Sequence, residues 1–244
     1  MRTALRHFAL ITFAVPVERL LPFIPADRFE VTTFEVGGEP RALLSAVPFL
    51  DTDFRFVRLA PFLRFEFAQT NHRVYVRDRR TGEPAVWFLG TTLGSRWVNV
   101  PRLLWRLPWH PARYRLDCAW DAAAGRYRTF RYAIDSAWCA GALALDDTGA
   151  PPPLLPGFTS HAEQQLVLTH PTAGFYRRLD GRLGSYSIWH DALPMTRAVP
   201  RETYFALYER LGLLSREEMR SPHSALIARE VEFDIHLPPL EVEG

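Results

Sequence analysis

Between Arg64 and Asp78 the chain carries residues that a β-strand would sort onto two faces. Phe65, Phe67, Gln69, Asn71, Arg73, Tyr75 and Arg77 share one face, and Arg64, Glu66, Ala68, Thr70, His72, Val74 and Val76 share the other. The first face joins aromatic rings to a row of hydrogen-bonding groups. At its centre Arg73 offers the planar fork that grips a carboxylate or phosphate through two parallel bonds. A strand whose middle looks into a polar cavity would use such a row to hold a small anion. A strand with one solvated face would show the same alternation, and a bulge would exchange the faces beyond it.

A second segment, Trp105-Arg106-Leu107-Pro108-Trp109-His110-Pro111-Ala112, fixes a histidine between tryptophan and proline in a shaped corner, structural or functional. The eight histidines show no ligand spacing, so no metal site is expected. Gly-x-Ser-x-Gly and Gly-x-Gly-x-x-Gly are both absent, which leaves a serine hydrolase and a dinucleotide enzyme without support. Cys118 and Cys139 stand beside tryptophans and read as reduced, packed thiols of a cytoplasmic protein.

Lysine is missing from all 244 positions, so the 29 basic side chains are all arginine. That excludes a lysine Schiff base, a pyridoxal-phosphate site and a phosphate-loop or kinase lysine. A formal charge of +2 against 27 acidic residues gives no broad footprint for nucleic acid or an anionic membrane. The opening MRTALRHFALITFAVPVERL has a short apolar run that Pro16 and Glu18 interrupt, so neither a membrane span nor a signal peptide is expected.

These residues need a β-rich frame. Phe29 to Val36 and Arg41 to Val47 read as a hairpin around Gly37-Gly38, and Pro16 to Leu21 as one helical turn. Arg64 to Asp78 turns through residues 79–84 into Ala85 to Thr92, apolar enough to be buried on both faces. Ser95 to Leu107 has helical spacing through Trp97, Leu104 and Trp105. Arg113 to Trp120 with Tyr127 to Ile134, and Phe175 to Leu179 with Leu183 to Trp189 across Asp180-Gly181, read as hairpins. Trp138 to Leu145 and Leu226 to Leu237 read as strands, Arg201 to Leu211 as an amphipathic helix, and Gly149 to Pro153 as a stiff loop within one domain of residues 1–244. The expected fold class is mainly β (α+β), a barrel or curled sheets with a few peripheral helices.

At Gln69-Thr70-Asn71-His72-Arg73-Val74-Tyr75-Val76, then Gly82-Glu83-Pro84-Ala85-Val86-Trp87-Phe88, the chain resembles the YqjF-like family. That bacterial domain of unknown function is grouped with the acetoacetate decarboxylase-like superfamily. The resemblance extends through Leu107 to His110, through His190 to Pro194, and to the opening His7 to Pro25. It implies a barrel-like fold around a small-molecule cavity. In the decarboxylase proper a pair of lysines supplies and tunes a Schiff base; the alignment puts that pair at or within about one residue of Trp109-His110, where this chain has no amine. Gln69 stands where the family usually has glutamate, and an amide cannot act as a general base.

Two functions follow. One is binding of a small carboxylate-bearing metabolite by Arg73 and Arg113, with Gln69, Asn71 and Tyr75 orienting it and Trp109 among the ligand-binding residues. The other is a cofactor-free lyase, hydrolase or isomerase on an oxo-acid or lactone, with His110 or His190 as proton shuttle. Exposed edge strands and seven tryptophans are compatible with a homodimer.

Overall fold

The computed structural model describes residues 2–56, 60–95, 99–171, 173–189, 193–235 and 240–242. In chain order the elements are β1 (Arg2–Pro16), β2 (Phe29–Val31), β3 (Thr33–Val36), β4 (Glu39–Phe56), β5 (Ala60–Asp78), β6 (Pro84–Leu93), α1 (Asn99–Leu104), β7 (Trp109–Pro111) and β8 (Arg113–Asp121). Then follow β9 (Arg126–Asp135), β10 (Gly141–Asp147), α2 (His161–Thr169), β11 (Ala173–Arg177), β12 (Leu183–Trp189), β13 (Thr196–Phe205), α3 (Ala206–Arg210), β14 (Ser224–Ile235) and β15 (Leu240–Val242).

One mixed sheet runs β15-β12-β11-β6-β5-β4-β1-β14-β13-β10-β9-β8. It curls, because β12 also pairs β14, with Ile188 opposite Ile235 and Trp189 opposite Asp234. The strands from β12 to β14 therefore enclose an interior. Leu10, Leu43, Val47, Tyr75, Val86, Phe88, Tyr176 and Leu226 pack inside it, together with Leu168 of α2. On the outer face, Ile11, Phe13, Leu44, Val74 and Trp87 pack against Phe130, Tyr132, Leu143 and Leu145 of the β9 and β10 layer. Alternation along each strand thus feeds two separate cores.

β1 goes beyond the sequence expectation. Its short apolar run is a central strand between β4 and β14, with Ala9, Leu10 and Ile11 fully buried on alternate faces. An extra residue in its pairing with β4 lies between Arg6 and Ile11, around His7 at φ 51°. The bulge between β5 and β6 is carried by β6: His72 faces Gly90 and Arg73 faces Phe88, which leaves β5's alternation unbroken.

Several boundaries are corrected. The expected Phe29 to Val36 strand is two, since β2 pairs β5 and β3 pairs β4. The expected helix Arg201 to Leu211 is strand as far as Phe205, because the β13 ladder to β10 satisfies that backbone and outweighs local helix preference; only α3 is helical. Residues 17–19 and 21–23 form 3-10 turns. Of the expected 95–107 helix only α1 is seen, with residues 96–98, including Trp97, outside the described residues. Leu104 is exposed, and Arg106 at φ 54° lies just beyond the helix end. Among the described residues no helix is long and apolar enough to cross a membrane.

Gly184 lets Tyr176 lie flat inside the curl: a Cβ at that position would stand 2.5 Å from the ring. Gly184→Ala is expected to cost about 1–3 kcal/mol by overpacking. Urea titration should show most of that cost vanish in a Tyr176→Leu background; an unchanged cost would mean that the ring is not its cause.

Candidate site on the interior face of the curled sheet

Alternation along β5 places Gln69, Asn71, Arg73 and Tyr75 inside the curl. The row carries two hydrogen-bonded groups, one around Asn71 and one around Tyr75. Gln69 Nε2 donates to Asn71 Oδ1 at 2.8 Å, and Thr91 Oγ1 donates to the same oxygen at 2.8 Å. Parallel pairing of β6 with β7 sets Thr91 beside Trp109, and Asn71 faces Thr91, so Trp109 joins this row and packs on the interior core.

Arg73 is 9% exposed. One guanidinium nitrogen donates to the Leu168 carbonyl of α2 at 2.6 Å and approaches the Tyr75 hydroxyl at 3.5 Å, with the guanidinium carbon 5.5 Å from the Tyr75 ring centre. Nε is buried without a partner, and among the described residues no carboxylate forms an ion pair with Arg73. The carbonyl belongs to the last turn of α2, where an unfilled acceptor and the helix dipole both favour a cation. A dipole is still a weak match for a buried charge, which ordinarily demands a counter-ion. Beyond Tyr75 the polar row continues as hydroxyls: Tyr75 to Ser45 Oγ at 3.0 Å, and Ser45 to Thr12 Oγ1 at 2.8 Å. Ser224, opposite Thr12 in register, has a buried hydroxyl with no partner.

One residue of offset sends His110 to the other side. It stands in register with Thr92 on the outer face, stacked flat on Trp138 with ring centres 4.1 Å apart. Burial, then the Arg102 and Arg210 charges, push its pKa down to about 4. His72 lies nearby on the same face, hydrogen-bonded through Nδ1 to the Tyr208 hydroxyl at 3.0 Å and enclosed by Trp138 and Phe205. Burial, then His110, push its pKa down to about 3. The Tyr114 hydroxyl meets Thr92 Oγ1 at 2.6 Å and Thr70 Oγ1 at 3.0 Å on this face, and burial raises its pKa.

The structure therefore brings Gln69, Asn71, Arg73, Tyr75 and Trp109 together and separates His110 from them. Arg113 is also apart: its side chain is 89% exposed and pairs with Asp135 at 2.9 Å, because its alternation on β8 points it to solvent. His190 lies outside the described residues. Cys118 and Cys139 are free thiols, both with pKa raised chiefly by burial. The sequence reading missed Thr12, Ser45, Thr91, Ser224 and the whole of α2. Its Ser160-x-x-Glu163 capping box was the available signal: Ser160 accepts from the Glu163 amide, and Glu163 accepts from Thr159.

This curled mixed sheet backed by a second layer is an acetoacetate decarboxylase-like fold. Acetoacetate decarboxylase from Legionella pneumophila is 16% identical with a TM-score of 0.57, over 100% of this chain and 86% of that one. An acetoacetate decarboxylase-like enzyme from Sphingomonas wittichii RW1 is 11% identical with a TM-score of 0.59, over 98% and 92%. The enduracididine biosynthesis enzyme MppR, solved with pyruvate, is 11% identical with a TM-score of 0.57, over 98% and 89%. At such identities the likeness is one of fold. The chain belongs to the family DUF2071, an uncharacterized conserved protein (COG2071), matched over residues 2–232. No curated protein matches it significantly.

Proposed function

We propose that the protein binds a small carboxylate-bearing metabolite inside the curled sheet, with Arg73 holding the carboxylate. The observation that carries this reading is a buried guanidinium whose hydrogen-bond partners are a helix carbonyl and a tyrosine, and which faces no acid among the described residues. Gln69, Asn71 and Tyr75 supply further polar contacts beside it, and Trp109 supplies an apolar wall. Two of the fold neighbours support the chemical class by their descriptions, one being an acetoacetate decarboxylase and one having been solved with pyruvate. A Schiff-base route needs an amine, and this sequence has no lysine to provide one. A histidine proton shuttle has less support, because His110 sits on the opposite face of the sheet from Arg73.

Pyruvate and acetoacetate, titrated separately, are expected to raise the melting temperature of the wild-type protein. About 100-fold excess over Kd corresponds to roughly 2.7 kcal/mol of stabilisation. Arg73→Met should abolish the rise while leaving the far-ultraviolet circular dichroism intact. A rise of equal size in the variant would remove Arg73 from the site, and no rise with any small carboxylate in the wild type would overturn the reading.

A further inference from the structure

The contact between Arg73 and Leu168 joins residues 95 positions apart, and the two groups that Arg73 touches line different cavities, Tyr75 the larger and Leu168 the smaller. On one side is a cleft of about 640 Å³ lined by Phe34, Tyr75, Phe158, Leu166 and Val167, among others. On the other is a smaller space of about 150 Å³ lined by Gln164, Leu168, Thr169, Met195 and Leu226, among others. α2 stands between them, and its last turn puts Leu166 and Val167 on the larger and Leu168 and Thr169 on the smaller. Tyr75, whose ring lies beside the Arg73 guanidinium, forms part of the larger cleft's wall.

The two ends of α2 are held differently. Its first half is pinned by side chains: Ser160 caps the helix, Glu163 accepts from the Thr159 amide and hydroxyl, and Gln164 bonds to the Leu155 amide and the Pro153 carbonyl. At the other end the Thr169 hydroxyl turns back onto the Gln165 carbonyl, the His170 amide closes on Leu166, and Pro171 follows. Proline cannot continue a helix, and helix ends fray first. Arg73 grips this end by a single main-chain oxygen.

We propose that the last turn of α2 is a latch that the ligand displaces: an incoming carboxylate takes Arg73 from the Leu168 carbonyl, the turn loosens, and the two cavities join around the bound anion. This rests on the binding reading above. A carboxylate carries a full charge and can span two guanidinium nitrogens, so it outcompetes one carbonyl dipole for the same fork. Ligands with an apolar body beyond the carboxylate fit the larger cleft, which has the size of an ordinary small-molecule pocket.

Hydrogen exchange at the amides of residues 167–170 tests the latch in the full-length protein. Saturating pyruvate is expected to speed their exchange about tenfold in the wild type and to leave residues 161–164 unchanged. Arg73→Met should exchange fast at the same amides with no ligand present, and pyruvate should add nothing. Arg73→Gln replaces it if the methionine variant does not fold. Ligand-free exchange in the variant equal to that of the wild type would overturn the tether. A pyruvate-dependent melting shift that requires Arg73 but leaves the turn's exchange unchanged or slower would overturn the latch while sparing the binding reading. A variant that loosens the turn, in a protein that binds neither pyruvate nor acetoacetate, would make Arg73 a helix cap only and overturn both.

Discussion

Between pH 7 and pH 5 the protein is expected to lose about 2 kcal/mol of unfolding free energy through His72 alone. The ring is buried, and Tyr208 donating to Nδ1 would leave the proton on Nε2, which faces the surrounding aromatic rings without a partner. Burial, then the neighbouring His110, push the folded-state pKa down to about 3 from an ordinary 6.5. In that window the unfolded chain holds a proton that the folded chain refuses, so stability rises with pH from about 3 to 6.5 and is flat above. His110, pushed down to about 4, acts in the same direction, with its contribution reduced by its partial exposure. Urea unfolding at pH 7 and pH 5 checks this. His72→Gln, which keeps an acceptor for Tyr208, should show a smaller pH-dependent loss by about 2 kcal/mol. Equal losses in the two proteins would show that His72 is not the buried proton sink.

Asp78→Ala is expected to destabilise the fold by about 3–5 kcal/mol. Asp78 closes β5 where β2 pairs with it, and its carboxylate meets the Arg28 guanidinium at 3.0 Å with both side chains under 10% exposed, at 8% and 3%. The same carboxylate accepts the Arg80 amide at 3.0 Å and so holds the turn into β6. Arg28 in turn stacks near Phe29 and Phe175, its guanidinium carbon 5.5 and 5.1 Å from their ring centres. Removing the acid leaves a buried cation without its carboxylate, and that desolvation is the main cost. Replacing both partners by apolar residues, Arg28→Met with Asp78→Leu, should recover most of the loss in denaturant titrations. A double variant as unstable as Asp78→Ala would show that the turn contact, and not the stranded charge, sets the cost.

The local and the long-range parts of this molecule were unequally legible. The hairpin across Asp180-Gly181 and the alternation of β5 follow from turn chemistry and from the period of a strand, both local properties of the chain. β1 was read only as a short apolar run, because a strand buried on both faces shows no alternation. β13 was misread as helix because its pairing with β10 lies in another part of the sequence. Of the candidate site, Gln69, Asn71, Arg73, Tyr75 and Trp109 were named from residue type and resemblance, and the structure gathers them. Arg113 was named for its charge and points outward, paired with Asp135.

By itself the sequence determined that lysine chemistry is unavailable and that Arg73 sits mid-strand in a polar row; that Trp109 and His110 are neighbours on a strand and so face opposite ways came from the structure, where the sequence showed only a corner. Which of the two faces the interior was decided only by the pairing of β12 with β14, which curls the sheet and turns one set of alternate residues inward. Tertiary structure also decided what Arg73 meets: the helix carbonyl it holds is 95 residues away, brought there by packing of Leu168 into the interior core. The physical reason is range. Side-chain direction is set by the neighbouring peptide units, whereas burial, and with it the cost of an unpaired charge, is set by contacts that only the folded chain makes.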